Sequence, residues 1–271
     1  MTDDTLTDHE PTETDPTTRR STVREEYGSI ANTGGDCCGT GDDCCGTDEI
    51  GTEADGTAAD RARSIGYDAA DLADAPDDAN LGLGCGNPVA ISNLEAGESV
   101  LDLGSGGGFD CFLAAREVGP EGRAIGVDMT PEMIETARTN ARESDLENVE
   151  FRLGEIEHLP VADERVDTII SNCVVNLSPE KPRVLAEAFR VLRPGGRLAI
   201  SDLVATEPLP DKVREDPEAV AACVGGAATV DEMERWLDDA GFVDVSLTIE
   251  GEWTDDLPIV SARIEARKPD E

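Results

Sequence analysis

Positive charge is what this sequence has least of. Its 271 residues carry 60 acidic and 22 basic side chains, for a formal net charge of −38, and its only lysines are Lys181, Lys212 and Lys268. Nucleic-acid binding needs basic contacts to phosphates, and attraction to an anionic membrane surface needs basic clusters, so neither partner is predicted. Dispersed acidity with few lysines is expected of a protein that works in concentrated salt, which screens self-repulsion. The composition therefore predicts a halophilic source.

Long apolar segments are also absent from the sequence. No run approaches the ~20 apolar residues of a membrane span, and the acidic, polar N-terminus lacks the apolar region of a signal peptide. We therefore expect a cytoplasmic protein, in which thiols stay reduced and a structural disulfide framework is not expected. The eight cysteines then indicate thiol chemistry or metal binding, although single cysteines often serve as small core residues.

The composition divides the chain into four predicted segments. These are a disordered acidic tail at 1–18, an N-terminal extension at 19–80, an α/β core at 81–203 and a substrate-binding segment with the last strands at 204–271. Within the extension, the spacing of apolar residues in Arg19–Ala31 favours a helix. Residues 32–60 are rich in Gly, Asp and Thr and carry two cysteine pairs, Cys37-Cys38 and Cys44-Cys45. This stretch cannot build a core and is predicted to be a mobile loop.

From Ser99 onward, predicted strands alternate with predicted helices. The core strands are Ser99–Leu103, Arg123–Val127, Val149–Leu153, Val166–Ser171 and Arg197–Leu203. The helices are Phe109–Val118, Thr130–Ser144 and Ser178–Leu192, the last followed by a stop-and-turn signal at 193–196. A helix near Val230–Ala240 precedes two final strands, Val243–Ile249 and Ile259–Arg267, that could pair antiparallel. The alternation predicts an α/β fold with a parallel sheet covered by helices on both faces.

A glycine-rich turn follows the first core strand, in SVLDLGSGGGFDCF. Gly104 and Gly106 let the backbone turn tightly and let a ligand approach without a Cβ in the way. Asp128 ends the next strand, where a carboxylate can accept hydrogen bonds from both ribose hydroxyls of a nucleoside. Phe109 stands where the dinucleotide fingerprint has its third glycine, which disfavours NAD. Asp102, just before the turn, suits a ligand with a cationic amino-acid end.

With these features the chain resembles the class I S-adenosylmethionine-dependent methyltransferases. The motifs LDLGSGGG, GVDMT, GEIEHLP and RVLRPGGRLAISD match that superfamily in order and spacing. The resemblance implies an open Rossmann-like sheet and S-adenosyl-L-methionine as cofactor. The contacts it implies are Asp102, Gly104, Ser105 and Gly106 at the methionine moiety, Asp128 and Met129 at the ribose, Glu155 and Ile156 at the adenine, and Asn172 as a further contact. Many members carry Asp at the position of Glu155.

Histidine is scarce, and thiols are the better candidates for the reaction. A methyl acceptor that must be deprotonated usually relies on a histidine, but only His9, in the predicted tail, and His158, in a turn, are present. Cys173 directly follows the fourth core strand, at the end of a parallel sheet where ligands bind. Cys85 and Cys223 lie beside glycines rather than among bulky apolar residues. The sequence therefore favours an acceptor that needs no base.

The contexts of these three cysteines, GLGCGNP, SNCVVNLSPEK and CVGGA, together resemble the arsenite S-adenosylmethionine methyltransferase family. The resemblance covers about residues 23–242 and implies a detoxifying enzyme of a halophilic archaeon that methylates trivalent arsenic, with arsenite or its thiol conjugates as substrate. Cys173 and Cys223 would then hold the arsenic. Cys85 and an N-terminal cysteine would complete a thiol relay.

Soft thiolates suit a soft As(III) centre, whose lone pair can attack a sulfonium methyl group without loss of a proton. Methylation oxidises arsenic, and a cysteine pair that forms a disulfide would return it to the trivalent state. A thiol reductant, either a thioredoxin-like protein or a small dithiol, would regenerate the thiols. The family often carries a cysteine pair in this region, which makes Cys37 and Cys38 candidates for the N-terminal cysteine. The sequence does not say which of the four cysteines at 37, 38, 44 and 45 takes part, and the second pair could be an embellishment.

Two rival interpretations stay open from the sequence. Another small-molecule methyltransferase, of quinone or sterol type, would share the glycine turn and Asp128 but has no use for the three cysteines. Its apolar walls would also need more aromatic residues than the 3% present. A non-catalytic, thiol-rich protein that binds zinc or a metalloid would not need the cofactor motifs. The pairs at 37–38 and 44–45 lack the Cys-x-x-Cys spacing of zinc sites, and the apolar neighbours of Cys111 place it in the core.

Overall fold

The computed structural model describes residues 15–33, 57–254 and 256–270. The helices are α1 Pro16–Thr33, α2 Ala58–Ser64, α3 Ala69–Asp74, α4 Pro88–Ser92, α5 Phe109–Val118, α6 Pro131–Glu143, α7 Lys181–Val191, α8 Asp211–Arg214, α9 Pro217–Ala221 and α10 Val230–Ala240. The strands are β1 Ser99–Leu103, β2 Arg123–Asp128, β3 Val149–Leu153, β4 Val166–Asn172, β5 Leu192–Ala205, β6 Ala228–Thr229, β7 Val243–Glu252 and β8 Ile259–Arg267. Within the described ranges, no helix is both long and apolar enough to cross a membrane.

The strands form one mixed sheet of order β3-β2-β1-β4-β5-β8-β7, with the short β6 beside β5. β1 to β5 run parallel, whereas β8 and β7 pair antiparallel, which confirms the predicted pairing of the last two strands. Because β1 lies between β2 and β4, the chain order reverses there. Ligands of open parallel sheets bind at the carboxyl ends of the strands beside such a reversal.

Neighbouring residues of the central strands pack into opposite layers. Val100 and Ile170 belong to a buried cluster with Phe112 of α5, while Leu101 and Ile169 belong to a second cluster with residues of α7 and α10. Successive side chains of a strand point to opposite faces, so both faces of the sheet are covered, as a parallel sheet requires. The predicted open α/β sheet with helices on both faces is confirmed.

The predicted core elements agree with the observed ones except around α7. This helix begins at Lys181 rather than at Ser178. The Ser178 hydroxyl donates to the Glu157 carboxylate at 2.6 Å and accepts from the Glu180 N–H at 3.0 Å, just before the helix. The predicted turn at residues 193–196, after α7, is wrong. These residues form the irregular start of β5, where Gly195 takes a φ of 76°.

The N-terminal elements are longer than predicted. α1 extends the predicted helix Arg19–Ala31 at both ends. α2 begins at Ala58, inside the segment predicted to be a loop, because Thr57 and Asp60 form a reciprocal capping box. His9 and the cysteines at 37, 38, 44 and 45 lie outside the described residues, and the four segment boundaries stay predictions.

Candidate active site

The carboxyl ends of β1, β2 and β4 open into a cleft of about 1420 Å³. Its lining includes the glycine turn after β1, the end of β2, the end of β4, one face of α1 and the segment after α9. Most of the residues predicted to bind a cofactor and two of the predicted arsenic ligands therefore face one cavity. They come from sequence positions more than 100 residues apart, and the parallel sheet brings them together.

The glycine turn folds against the end of β2. The backbone N–H groups of Gly104 and Ser105 both donate to the Val127 carbonyl, at 2.8 and 3.0 Å, and the Gly106 N–H donates to an Asp128 carboxylate oxygen at 3.0 Å. Gly104 has a φ of 70°, and a Cβ there would collide with the Val174 side chain. Only glycine fits this turn, whose backbone approaches both β2 and the loop after β4.

Replacing Gly104 with alanine should therefore destabilise the protein. A left-handed alanine costs ~1–2 kcal/mol and an overpacked contact ~1–3 kcal/mol, so we expect the free energy of unfolding, measured by denaturant titration in concentrated salt, to fall by about 2–4 kcal/mol. Gly97→Ala is the matched control, because Gly97 has a φ of 89° with no heavy atom near its added Cβ. Equal losses in the two variants would show that Val174 exerts no steric constraint.

The Asp128 carboxylate has the geometry expected of a ribose acceptor. One oxygen accepts from Gly106 N–H and the other from Thr130 N–H at 2.8 Å. A carboxylate has about four acceptor positions, so each oxygen keeps one for a ligand in the cleft. Burial raises the pKa of this carboxyl, while the two backbone donors oppose that shift. Met129 lines the cleft beside it.

Two buried carboxyls flank the glycine turn, Asp102 near the end of β1 and Asp110 in the first turn of α5. Asp102 and Asp110 both line the cleft, and burial raises the pKa of each, with the Asp110 carboxyl raising that of Asp102 further. A cationic group placed beside them would lower both pKa values and be bound in return. The pair therefore fits the amino-acid end of S-adenosylmethionine. Within the described residues, the Ser105 hydroxyl is buried without a hydrogen-bond partner, so it has a bond to offer.

Cys111 lies under this carboxyl pair. It is fully buried in the cluster that contains Phe112, and its thiol is 3.5 Å from Asp102 Oδ2. The predicted core position of Cys111 is confirmed. Because Cys111 belongs to a different buried cluster from Cys85, Cys173 and Cys223, it is outside the proposed thiol chemistry.

The two residues predicted to contact the adenine, Glu155 and Ile156, have different surroundings in the structure. Ile156 and Glu157 line the cleft, but the Glu155 carboxylate lies 3.8 Å from Arg20 Nε and 3.7 Å from Arg24 Nη2, both on α1. The Glu155 carboxylate is thus paired with α1, and its predicted adenine contact stays a prediction. The neighbouring Glu157 lines the cleft, although sequence reasoning assigned it no role.

The three cysteines of the substrate site meet beyond the end of β4. Cys85 and Cys173 form a disulfide, with their Cα atoms 5.9 Å apart, and the Cys223 thiol donates to the Cys173 carbonyl at 2.8 Å. All three are buried, at 4%, 8% and 5% exposure. Asp202, which ends up beside them at the carboxyl end of β5, brings a carboxylate oxygen within 4.8 Å of the Cys85 and Cys173 sulfurs. Sequence reasoning missed Asp202, although a carboxylate within the predicted apolar strand Arg197–Leu203 was a signal.

Cys173 and Cys223 have unusual backbone conformations. Their φ angles are 54° and 65°, a left-handed region that residues with a Cβ rarely adopt. Hydrogen bonds from Cys173 N–H to the Ser201 carbonyl and from Cys223 N–H to the Val220 carbonyl, at 2.8 and 3.0 Å, hold them there. Strained backbone of this kind concentrates at functional sites, and here it occurs at the two cysteines predicted to hold arsenic.

Helix α1 forms the wall opposite the sheet. Val23 is buried in a cluster with the three cysteines, and Tyr27 packs against that cluster. The Tyr27 hydroxyl contacts the Cys223 thiol and lies 3.4 Å from the Ala221 carbonyl. Burial raises the pKa of Cys223 far above that of a free thiol, so this sulfur is protonated before a ligand arrives. The apolar face of α1 was predictable, but its contact with Cys223 was not.

Comparisons with known proteins place these features in context. A family model described as a methyltransferase domain matches residues 94–241. An arsenite methyltransferase of Halobacterium salinarum is 55% identical over 94% of this chain and 68% of that protein. One from Aquipseudomonas alcaligenes is 43% identical over 60% of this chain, and the chain spans only 49% of it. The salt-adapted composition is in keeping with the Halobacterium relative.

A solved structure also resembles the chain. The crystal structure of an arsenic(III) S-adenosylmethionine methyltransferase from Chlamydomonas reinhardtii superposes with a TM-score of 0.64 at 36% identity, covering 77% of this chain and 73% of that one. Together with the sheet order, this match confirms the predicted class I methyltransferase fold. The individual cofactor and arsenic contacts stay predictions.

Proposed function

The chain belongs to the arsenite methyltransferase family, and we propose that it methylates trivalent arsenic held by its own cysteines, with S-adenosylmethionine as methyl donor. The observation that carries the proposal is the meeting of Cys85, Cys173 and Cys223 at one end of the cleft that contains the glycine turn and Asp128. Bound S-adenosylmethionine supplies an electrophilic methyl group on a sulfonium. The protein supplies soft ligands and the alignment of two reactants.

Arsenic would enter by exchange of oxygen for sulfur. Each As–OH group of arsenite reacts with one thiol to give an As–S bond and one water molecule, so the thiol proton leaves with the departing hydroxide. The buried, protonated Cys223 thiol is suited to this exchange, since no free thiolate is needed. A Cys85–Cys173 disulfide must first be reduced by a dithiol, which takes its place as a disulfide.

The same cysteine pair can close the redox cycle. Methylation raises arsenic by two electrons to the pentavalent state. Formation of the Cys85–Cys173 disulfide from two arsenic-bound thiolates returns those two electrons and leaves a methylarsenic(III) cation on the third sulfur. One water molecule adds to that cation as hydroxide and releases a proton, which completes the three ligands of As(III). A thioredoxin-like protein or a small dithiol then restores both thiols, which fits a cytoplasmic setting in which thiols stay reduced. Detoxification of arsenic is the role that we propose for the cycle.

The proposal is tested by incubating the purified protein in concentrated salt with arsenite, isotopically labelled S-adenosylmethionine and a dithiol, followed by separation of arsenic species. Labelled methylarsenic is the expected product. Unmethylated arsenic together with stoichiometric bound zinc would support the thiol-rich binding protein instead. Labelling of a quinone or sterol, with none of arsenic, would support the second rival.

The cleft favours an uncharged form of the substrate. Three exposed glutamates from three elements, Glu26 of α1, Glu218 of α9 and Glu252 of β7, line it. Arsenite is neutral at neutral pH, whereas its triglutathione conjugate is an anion that the glutamates would repel. We therefore expect the triple glutamine variant to raise kcat/KM for the conjugate about tenfold relative to arsenite at the lowest salt that keeps the fold, and less in concentrated salt because of screening.

A charge-matched control separates local repulsion from the effect of total charge. Glu117, Glu121 and Glu147 are exposed and do not line the cleft, so their replacement with glutamine should leave the ratio of the two kcat/KM values unchanged. If the control raises the ratio as much as the cleft variant does, the preference does not arise at Glu26, Glu218 and Glu252.

A further inference from the structure

Asn172 is the residue immediately before Cys173, and its side chain reaches the loop that carries Cys85. We propose that Asn172 is a positioning residue that holds the Cys85 loop against Cys173 and so sets the equilibrium between their dithiol and disulfide forms. This differs from the cofactor contact that the family resemblance implies for Asn172. The use made of the disulfide rests on the proposed function, but the equilibrium itself does not.

The hydrogen bonds of Asn172 are directed at the Cys85 loop. Its Oδ1 accepts from the Cys85 backbone N–H at 3.0 Å, and its Nδ2 donates to the Gly86 carbonyl at 2.8 Å. The amide therefore forms hydrogen bonds to the backbone on both sides of the Cys85–Gly86 peptide bond. A bidentate contact of this kind fixes the position and the direction of the segment, and not only its distance from β4.

The remaining bonding capacity of Asn172 is also used within the protein. Its Nδ2 donates to the Tyr67 hydroxyl at 3.0 Å and approaches Asp110 Oδ2 at 3.4 Å, while that hydroxyl donates to Asp110 Oδ1 at 2.5 Å. An amide nitrogen has two hydrogens, and here three acceptors already share them. Little donor capacity is left for a cofactor, which is why we assign the side chain to the loop.

The loop around Cys85 is shaped to receive this amide. Gly84 has a φ of 105°, and a Cβ there would lie 2.7 Å from the Asn172 amide. Gly86 packs on the next strand, where a Cβ would lie 2.7 Å from the Ser201 side chain. Asn172 and Ser201 are partners in the pairing of β4 and β5. The loop is thus seated across the ends of two adjacent strands, with Cys85 between two glycines that allow close contact.

Holding the Cys85 loop against the ends of β4 and β5 shifts the disulfide equilibrium through proximity. In the dithiol form no covalent bond keeps Cys85 beside Cys173, and a mobile loop would have to lose conformational freedom each time the disulfide forms. A loop already held by Asn172 loses less, which raises the effective concentration of one thiol at the other. Without the two hydrogen bonds from Asn172 to the Cys85 loop, the disulfide should become harder to form and easier to reduce.

The test is a redox titration of the full-length protein against mixtures of reduced and oxidised dithiothreitol, without arsenic or cofactor. The two protein thiols pass two electrons and two protons to the cyclic disulfide reagent, and acid-trapped samples are alkylated and mapped by mass spectrometry to count the Cys85–Cys173 pair alone. We expect Asn172→Ala and Asn172→Asp to lower the equilibrium constant for disulfide formation at least tenfold, which is about 30 mV for a two-electron couple. Asn172→Asp keeps the size and the acceptor oxygen but loses the donor to Gly86.

Asn148→Ala is the matched control, because the Asn148 amide also ties two backbone carbonyls, those of Ala115 and Gly119, away from the cysteines. It should leave the constant within twofold of the wild type. Folded Asn172 variants with an unchanged or increased constant would overturn the proposal, and far-ultraviolet circular dichroism in concentrated salt establishes folding.

A measurement on the wild type covers the case in which neither variant folds. If Asn172 holds the loop, the Cys85 amide hydrogen should exchange slowly with solvent in both the disulfide and the dithiol forms. Rapid exchange on reduction would show that the disulfide holds the loop and Asn172 does not. None of these measurements requires methyl transfer. A negative result for the role of Asn172 is therefore distinguishable from a negative result for the proposed function.

Discussion

Cys173→Ser and Cys223→Ser should each lower the rate of arsenite methylation at least a thousandfold while leaving cofactor affinity within twofold. A hydroxyl is a hard, weakly acidic ligand that does not replace a thiolate on As(III). Loss of one of the sulfurs also removes the alignment of the arsenic lone pair, and proximity of this kind contributes ~7–11 kcal/mol to well-oriented reactions. A thousandfold loss corresponds to about 4 kcal/mol, which is only part of that proximity contribution.

The measurement pairs arsenic speciation with calorimetric titration of S-adenosylhomocysteine. The buried Cys111 provides the control, since Cys111→Ser makes the same thiol-to-hydroxyl change in a fully buried residue whose new hydroxyl can still donate to Asp102. This variant should keep its activity within a few-fold. Full turnover of arsenite by either Cys173→Ser or Cys223→Ser would be incompatible with arsenic bound at that sulfur, whatever the behaviour of the control.

The sequence was sufficient to predict those parts of the fold that local patterns determine. β1, β3, α5, α10 and β8 have the predicted bounds. β1 is buried along its whole length, and such a strand is recognised as a short apolar run between turns. The amphipathic pattern of a helix is likewise visible without reference to the rest of the chain. The same logic found the glycine turn and the positions of three cysteines after strands or beside glycines.

Contacts between distant segments were beyond such reasoning. Arg20 reaches Glu157, 137 residues away, at 3.3 Å, and nothing in the spacing of either motif points to the other. The ion pairs of Glu155 have this origin: its family position implied an adenine contact, which stays a prediction, whereas α1 supplies Arg20 and Arg24 to its carboxylate. The bonds of Asn172 to the Cys85 loop were hidden from the sequence for the same reason, since they span 86 and 87 residues.

α1 contacts both the cofactor side and the cysteine side of the cleft, which its position in the sequence does not indicate. Its Arg20 lies at the cofactor side, bonded to Glu157 and Glu180, and its Tyr27 lies at the cysteine side, on Cys223. The helix carries basic residues onto an acidic body, so its attachment is partly electrostatic and is weakened by salt. The same salt lowers the self-repulsion of a chain with a net charge of −38, and the two effects oppose each other.

Replacing Asp128 should weaken S-adenosylmethionine binding more than any other single change at the ribose end. Hydrogen bonds to a charged group contribute ~1.5–3 kcal/mol each, so loss of two ribose bonds in Asp128→Ala should raise Kd about a hundredfold or more, at ~1.4 kcal/mol per tenfold. The alanine also leaves Gly106 N–H and Thr130 N–H without the acceptor that orders the glycine turn. Calorimetric titration in concentrated salt measures the change.

Asp128→Asn makes a smaller change at the same position. Its amide keeps one acceptor oxygen but turns its NH₂ group toward one of the two backbone donors, so that one backbone bond and one ribose bond are lost together. We expect an intermediate increase in Kd of about tenfold, corresponding to ~1.4 kcal/mol. Asp145→Asn removes the same charge from an exposed carboxylate that bonds to Arg116 outside the cleft, and should leave Kd unchanged. If Asp128→Ala binds S-adenosylmethionine as tightly as the wild type, the carboxylate organises the turn without touching the ribose, and the assignment of the cofactor's nucleoside end to β2 is wrong.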